Sequence, residues 1–258
     1  MPALRYKVQA SAVHFVASLL IAAAVLWLTF LLWYPQPLAT LQGADRIIGL
    51  IIFVDITLGP IFTFIIYSRR KTKRELWGDF SVIVGLQCAA LAFGIWTLFD
   101  TRPLYLVFAK DRIEVVSADE LIATNEEKPL SEHPSRQKPL KRTGPVLVAL
   151  DTTLAAAKAL HITLDAFNGG PDLAQYPDFY VPLATQREQV RNKLIPLSKH
   201  PQASHIRHVL LSLRDSAAPP ETLLFLPVTA RWHDGIAIFT ADATFLTILA
   251  IPPVWGDS

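Results

Sequence analysis

Asp55 stands near the middle of a 21-residue run, 47–67, in which it is the only charged side chain. A carboxylate in such a setting costs about 2.5–3.5 kcal/mol on membrane-insertion scales and persists where it has a partner. Gly59 and Pro60 follow within five residues. Pro60 has no N–H to donate, which frees the carbonyl of Ile56, and Gly59 makes room for a neighbouring helix. Asp55, Gly59 and Pro60 therefore mark a bent, polar stretch with two readings. One is a protonated Asp55 bonded within its own bundle, to Thr57, Gln87 or a backbone carbonyl. The other is a contact with a donor on a partner helix. Three spans around a single carboxylate hardly make a transporter.

The remaining polar motifs point away from catalysis. His200, His205 and His208 have no carboxylate or cysteine pattern beside them, and H-E-x-x-H is missing, so they read as solvated or core-edge histidines. Gly169, Gly170, Pro171 and Asp172 share only their glycines with a phosphate loop, since no Lys-Ser/Thr follows; they read as a helix stop and turn. His161 with Asp165 is an i, i+4 pair suited to surface support. The sequence contains no G-x-S-x-G elbow. Glu126 and Glu127 are adjacent in a proline-rich stretch, a poor place to preorganise paired carboxylates. The single cysteine, Cys88, lies in an apolar run and allows no intramolecular disulfide. No catalytic, cofactor-binding or metal-ligating residue is assigned.

The elements around these residues follow from composition. Of 258 residues 52% are hydrophobic and 18% charged, with mean hydropathy +0.34, against roughly 45–50% and about 25% in ordinary soluble domains. Residues 1–99 carry 8 Lys and Arg but 4 Asp and Glu, whereas 100–258 carry 16 and 18. An apolar, net positive front thus precedes a conventional domain, which excludes a wholly soluble globule, a disordered chain and a collagen-like repeat. The basic excess sits in short tracts beside apolar runs, a pattern of membrane surfaces rather than of nucleic-acid binding.

Residues 12–34 contain no charged side chain, 47–67 only Asp55, and 80–99 none. Each is long enough to cross a bilayer core of about 30 Å. The first run continues past Ala22, Ala23 and Ala24 into Leu26-Trp27-Leu28, too long for the apolar region of a cleaved signal peptide. Arg5 and Lys7 precede span one, and the loop 68–79 holds Arg69, Arg70, Lys71, Lys73 and Arg74. By the positive-inside rule this side is cytoplasmic, which makes 35–45 a short external loop and everything after 99 extracytoplasmic. Trp33, Tyr34, Trp96 and Phe99 at the outer ends, with Tyr67 and Trp77 at the inner ends, make an aromatic belt.

Residues 100–258 form one domain by length and hold 15 of the 19 prolines. Strands are predicted over 103–108, 112–116 and 146–150, and Ser117 with Glu120 makes a capping box. The stretch 125–145, with Pro129, Pro134 and Pro139, reads as a long loop. Asp151 caps a helix that Asn168-Gly169-Gly170-Pro171 stops. Thr185 with Glu188 opens a helix that Pro196 ends or kinks, and Ser204 starts another bearing Val209, Leu210 and Leu213. Apolar runs 223–231, 236–240 and 245–251, with Asp234-Gly235 between the first two, predict a closing antiparallel meander. The fold class is a membrane protein: three transmembrane helices, 1–99, followed by an extracytoplasmic α+β domain, 100–258.

Several pieces in this order resemble the type IV pilin accessory proteins of the TfpX/TfpZ family, found in the inner membrane of Gram-negative bacteria. They are Trp33-Tyr34-Pro35 with Leu38; Val54-Asp55-Ile56-Thr57-Leu58-Gly59-Pro60; Arg102-Pro103-Leu104-Tyr105 with Val107-Phe108 and Asp111-Arg112; Gly169-Gly170-Pro171-Asp172 leading to Tyr180-Val181-Pro182; and Leu226-Pro227-Val228 with the run to Ile251-Pro252. Pro253-Val254-Trp255 departs from the family's closing Pro-Trp by one inserted residue.

The resemblance implies a non-enzymatic accessory of the major type IV pilin, acting on pilin availability or assembly, with the pilus assembly machinery as a further partner and a periplasmic C-terminal domain. It supplies no catalytic residues and no cofactor. A pilin before assembly has an apolar helix in the bilayer and a head outside, so contacts are expected at both levels. Asp55, Gly59 and Pro60 are the intramembrane candidates, and Gly169, Gly170, Pro171 and Asp172 the external ones. The competing classes are an envelope sensor acting through a membrane partner and a periplasmic enzyme on an anchor.

Overall fold

The computed structural model describes residues 2–67, 71–122, 144–212 and 222–254, which divide into two units. Residues 1–33 and 44–100 form the first, and 34–43 and 101–258 the second.

The first unit is helical. Helix α1 runs over Pro2–Leu28 and continues as a π-helical turn, Thr29–Trp33. After the short α2, Leu38–Leu41, which belongs to the second unit, helix α3 spans Ala44–Phe53, a second π turn Val54–Leu58, and α4 Gly59–Ile66. Helix α5 spans Lys73–Asp100. Three segments, Leu4–Trp33, Ala44–Ile66 and Lys73–Asp100, are long and apolar enough to cross a membrane. They extend the runs read from hydropathy towards their polar ends, because charged residues near a span's end cost a helix little. At α5 the extension has a cap: the Thr72 amide donates to Glu75 Oε2 (2.7 Å) and the Glu75 amide to Thr72 Oγ1 (3.3 Å). This reciprocal pair satisfies two of the four donors a helix start leaves free.

The second unit is built on an eight-stranded mixed sheet. Its strands are β1 Pro103–Ala109, β2 Arg112–Ser117, β3 Val146–Leu150, β4 Tyr180–Pro182, β5 Ile195–Pro196, β6 Leu224–Thr229, β7 Gly235–Phe239 and β8 Phe245–Leu249. The order is β4-β3-β1-β2-β6-β7-β8, with β5 on β6; β1–β3 and β2–β6 are parallel and the other pairs antiparallel. Helices α6, Ala156–Phe167, α7, Arg187–Lys193, and α8, Ala203–Ser212, are the longer helical elements. The main core joins Leu106, Phe108, Ile113, Leu226, Val228 and Phe239. Val107, all of β7 and most of β6 are buried as well, so the central strands are covered on both faces and read as continuous apolar runs.

The closing meander β6-β7-β8 is present, but its first turn is not a two-residue hairpin. Residues 230–234 join β6 to β7, and Gly235 already pairs with Val228. The Ser117–Glu120 capping box is formed and opens a single 3-10 turn. The Thr185–Glu188 box is not: Thr185 Oγ1 donates to the Pro182 carbonyl, a 3-10 turn occupies Leu183–Gln186, and α7 begins at Arg187 without a side-chain cap. That helix ends at Lys193, two residues before the edge strand at Pro196. Most of the expected loop 125–145, with Glu126 and Glu127, lies outside the described residues, as do Arg69, Arg70, Leu213 and Trp255.

Residues 34–43 depart furthest from the sequence reading of a plain external loop. Leu38, Ala39 and Leu41 are buried, and Leu38 and Leu41 belong to the main core of the sheet unit. Tyr34, 1% exposed, shares a hydrogen bond of 2.8 Å with Thr101 Oγ1, and burial pushes its phenol up to about 12.

Candidate functional site

In the helical unit the polar side chains converge where α1, the α3–α4 segment and α5 meet. Asp55, on the π turn, is 5% exposed. The turn arises where Pro60 withdraws its N–H from the ladder, and the Gly59 amide instead bonds the Val54 carbonyl, one residue further back than in an α-helix. A Cβ at Gly59 would stand 2.3 Å from Gln87 Nε2 and 2.8 Å from His14 Nε2. Hydrogen at that position is what lets α1 and α5 both close on the turn. The Gln87 amide lies 3.5 Å from the Asp55 carbonyl, His14 Nδ1 2.6 Å from Thr63 Oγ1, and Ser11 Oγ donates to the Pro60 carbonyl at 2.8 Å.

The structure thus gives the three intramembrane candidates different places. Gly59 and Pro60 serve packing between helices of the same unit, whereas Asp55 lines a cavity of about 770 Å³ whose walls come from α1 and α5. The sequence points to Gln87 as a partner of Asp55 and does not single out His14, Ser18 or Thr63. The signal available was polar residues at positions 11, 14 and 18, spaced so as to share one face of the first span.

In the sheet unit, Gly169 to Asp172 form a stop. The Gly169 amide donates to the Ala166 carbonyl and the Gly170 amide to the Asp165 carbonyl, with Gly169 at φ +86°, a Schellman ending of α6. Asp172 Oδ1 then accepts from the Leu173 amide at 2.5 Å. The segment is exposed and belongs to the second unit, whereas Asp55 belongs to the first. Facing Asp172 electrostatically is Glu114 on β2, whose carboxyl is pushed up to about 7 by burial first and by Asp172 second.

His200 is buried, with Nδ1 accepting from the Gln202 amide and Nε2 set to donate to the Pro252 carbonyl at 3.1 Å, while His205 and His208 are exposed. His161 and Asp165 pair at 3.1 Å on the exposed side of α6. Among the described residues no group of three His, Cys, Asp or Glu could hold a metal ion.

A polar network that sequence reading did not anticipate fastens residues 34–43 to the sheet. Gln42 Nε2 donates to Ser117 Oγ (2.6 Å), and Gln42 Oε1 accepts from the Arg231 amide (2.9 Å). The Arg231 guanidinium reaches Asp119 (2.7 Å) and Glu120 (3.0 Å), and the amides of Trp232 and His233 donate to the Leu41 carbonyl. The β6–β7 connection is long because it closes over this segment.

Comparison with known proteins bears on both units. The family described as fimbrial assembly protein FimB matches residues 2–43. The chain is 30% identical over 250 residues to the fimbrial assembly protein of serogroup I of Dichelobacter nodosus, covering 95% of each chain. It is 28% identical over 250 residues, again 95% of each, to that of serogroup E1, and 32% over 117 residues to that of serogroups C1 and C2, covering 45% of this chain and 89% of the relative. No solved structure matches. At 30% identity over 95% of both chains, the chain belongs to the fimbrial assembly protein family.

Proposed function

We propose that this chain is a non-enzymatic accessory of type IV pilin of the TfpX/TfpZ kind, held in the bacterial inner membrane with its N-terminus cytoplasmic and its sheet unit periplasmic. It acts on how much pilin is available, stable or passed to assembly, by contacts inside the bilayer and outside it. The observation that carries this reading is the pairing of a three-helix apolar unit containing a buried carboxylate with a folded sheet unit on the same chain, in a family of fimbrial assembly proteins. A membrane-anchored subunit offers a partner surface at each level, and this chain is built at both. Asp55, with the Gly59–Pro60 turn behind it, serves the intramembrane contact, and the exposed Gly169–Asp172 turn serves the pilin head.

Deletion of the gene, with surface pili and total pilin measured together and restored from a plasmid, tests the reading. The expected result is fewer surface pili and an altered pilin pool at unchanged pilin transcript. Normal pili with a normal pilin pool would refute it.

A further inference from the structure

Resting on that reading, we infer that the cleft between α1 and α5 seats the apolar anchoring helix of the pilin subunit, and that a polar side chain of that helix meets Asp55, His14 and Gln87 at mid-depth. The cleft runs along α1 from Tyr6 to Ile21, which at 1.5 Å per residue is about 22 Å. A helix about 10 Å across, half-sunk over that length, displaces roughly 900 Å³. The cavity holds about 770 Å³, somewhat less than that, so such a helix would fill the cleft and stand proud of its rim.

The chemistry of the floor selects the occupant. The walls are apolar, with Val13 and Ile21 on one side and Phe80 and Val84 on the other, while Ser18, Asp55 and Thr63 beneath them are each at most 5% exposed. Asp55 and Gln87 lie at the middle of their spans, Ala44–Ile66 and Lys73–Asp100. A lipid headgroup belongs at the interface, about 15 Å from the centre of a 30 Å core, and an acyl chain brings only methylenes to that depth. A transmembrane helix with one polar side chain matches both the walls and the floor. Ala10 and Ala17 on the α1 wall leave room for its backbone to come close.

A photo-crosslinking amino acid placed at Ala17 or Val84 in the full chain, in membranes of the piliated host, tests the seat against Leu20 and Phe93, which are exposed on the same helices outside the cleft. Adducts are identified with pilin antibody and mapped by peptide. The expected result is a pilin adduct within its apolar helix, about tenfold stronger from the cleft positions than from the controls. Ala17→Phe, at an exposed position where the ring fills the cleft, is expected to remove that adduct at normal chain abundance, with Leu20→Phe leaving it intact. Equal adducts from all four positions, adducts only to lipid, or adducts to a second copy of this chain would overturn the inference. Pilin captured only from the sheet unit, for instance at the exposed Phe167, would overturn the cleft and leave the pilin accessory reading standing. Normal piliation on deletion would instead remove that reading, and this inference with it.

Discussion

Gly43 answers two demands at once. Its φ of +74° is open to glycine and strained for other residues, and a Cβ there would stand 2.1 Å from the Trp232 ring. Gly43→Ala should therefore cost roughly 2 kcal/mol or more of the sheet unit's stability. Unfolding of the purified chain in detergent measures the loss, and adding Trp232→Ala should recover the part owed to the clash while leaving the part owed to φ. Glu114 makes a pH-dependent prediction. Its carboxyl titrates near 7 in the folded chain against 4.5 ordinarily, so below about pH 4.5 it is protonated in both states and its burial carries no ionisation penalty. As pH rises from there to about 7 the unfolded chain releases the proton first, stability falls, and above 7 the penalty is complete. Glu114→Gln should flatten that fall and gain on the order of 2–3 kcal/mol above neutrality. Parallel denaturant titrations of both forms at pH 4.5 and 8 read it; curves that keep the same pH dependence would mean that Glu114 is not the group responsible.

The segment 34–43 completes the sheet unit. Leu38 and Leu41 fill core between β1, β2 and the meander, and Gln42 closes two hydrogen bonds that the sheet's own residues leave open. A fragment 101–258 made alone should accordingly be poorly protected from protease, and a chain in which 34–43 is joined to residue 101 by a flexible linker should regain protection. Gln42→Ala, which strands the Arg231 amide and removes one of the two partners of the Ser117 hydroxyl, should cost about 1–3 kcal/mol. These effects also explain what sequence could and could not reveal. The three apolar spans were legible from missing charge alone, and the meander from alternating apolar runs between turn residues. The role of 34–43 was not, because Gln42 acquires partners 75 and 189 residues away and Leu38 and Leu41 join the core of the sheet unit, which no local period encodes. Asp55 was legible because a charge in an apolar run stands out. His14, Ser18 and Thr63 are mild polar residues that helical sequences tolerate widely, and only the rotation of α1 against α4 brings them beside it. The Thr185–Glu188 box had the right letters, but Pro182 started a 3-10 turn whose carbonyl took the Thr185 hydroxyl first.

At the scale of the whole molecule, the composition of the sheet unit constrains how the proposed spans cross. Residues 34–43 and 101–258 share one hydrophobic core, and a single folded core cannot straddle a bilayer. Between them the chain passes through two membrane-length segments, 44–66 and 73–100, so it leaves and returns to the same side. On the proposed reading the remaining span, 4–33, would put the N-terminus, with the connection between α4 and α5, across the membrane from the sheet unit. This pairing follows from packing and is independent of charge. Charge supplies the direction of the proposed topology: it would put Arg5, Lys7, Lys71, Lys73 and Arg74 together on one side, and by the positive-inside rule that side would be cytoplasmic. In a Cys88→Ala chain, single cysteines at the exposed positions Gln36, Arg74 and His161 separate the two arguments. A membrane-impermeant maleimide added to spheroplasts should label Gln36→Cys and His161→Cys, and reach Arg74→Cys only after permeabilisation. Labelling at Arg74 alone would reverse the direction while keeping the pairing. Labelling of Gln36 without His161 would break the pairing itself, and with it the core that 34–43 shares with the sheet.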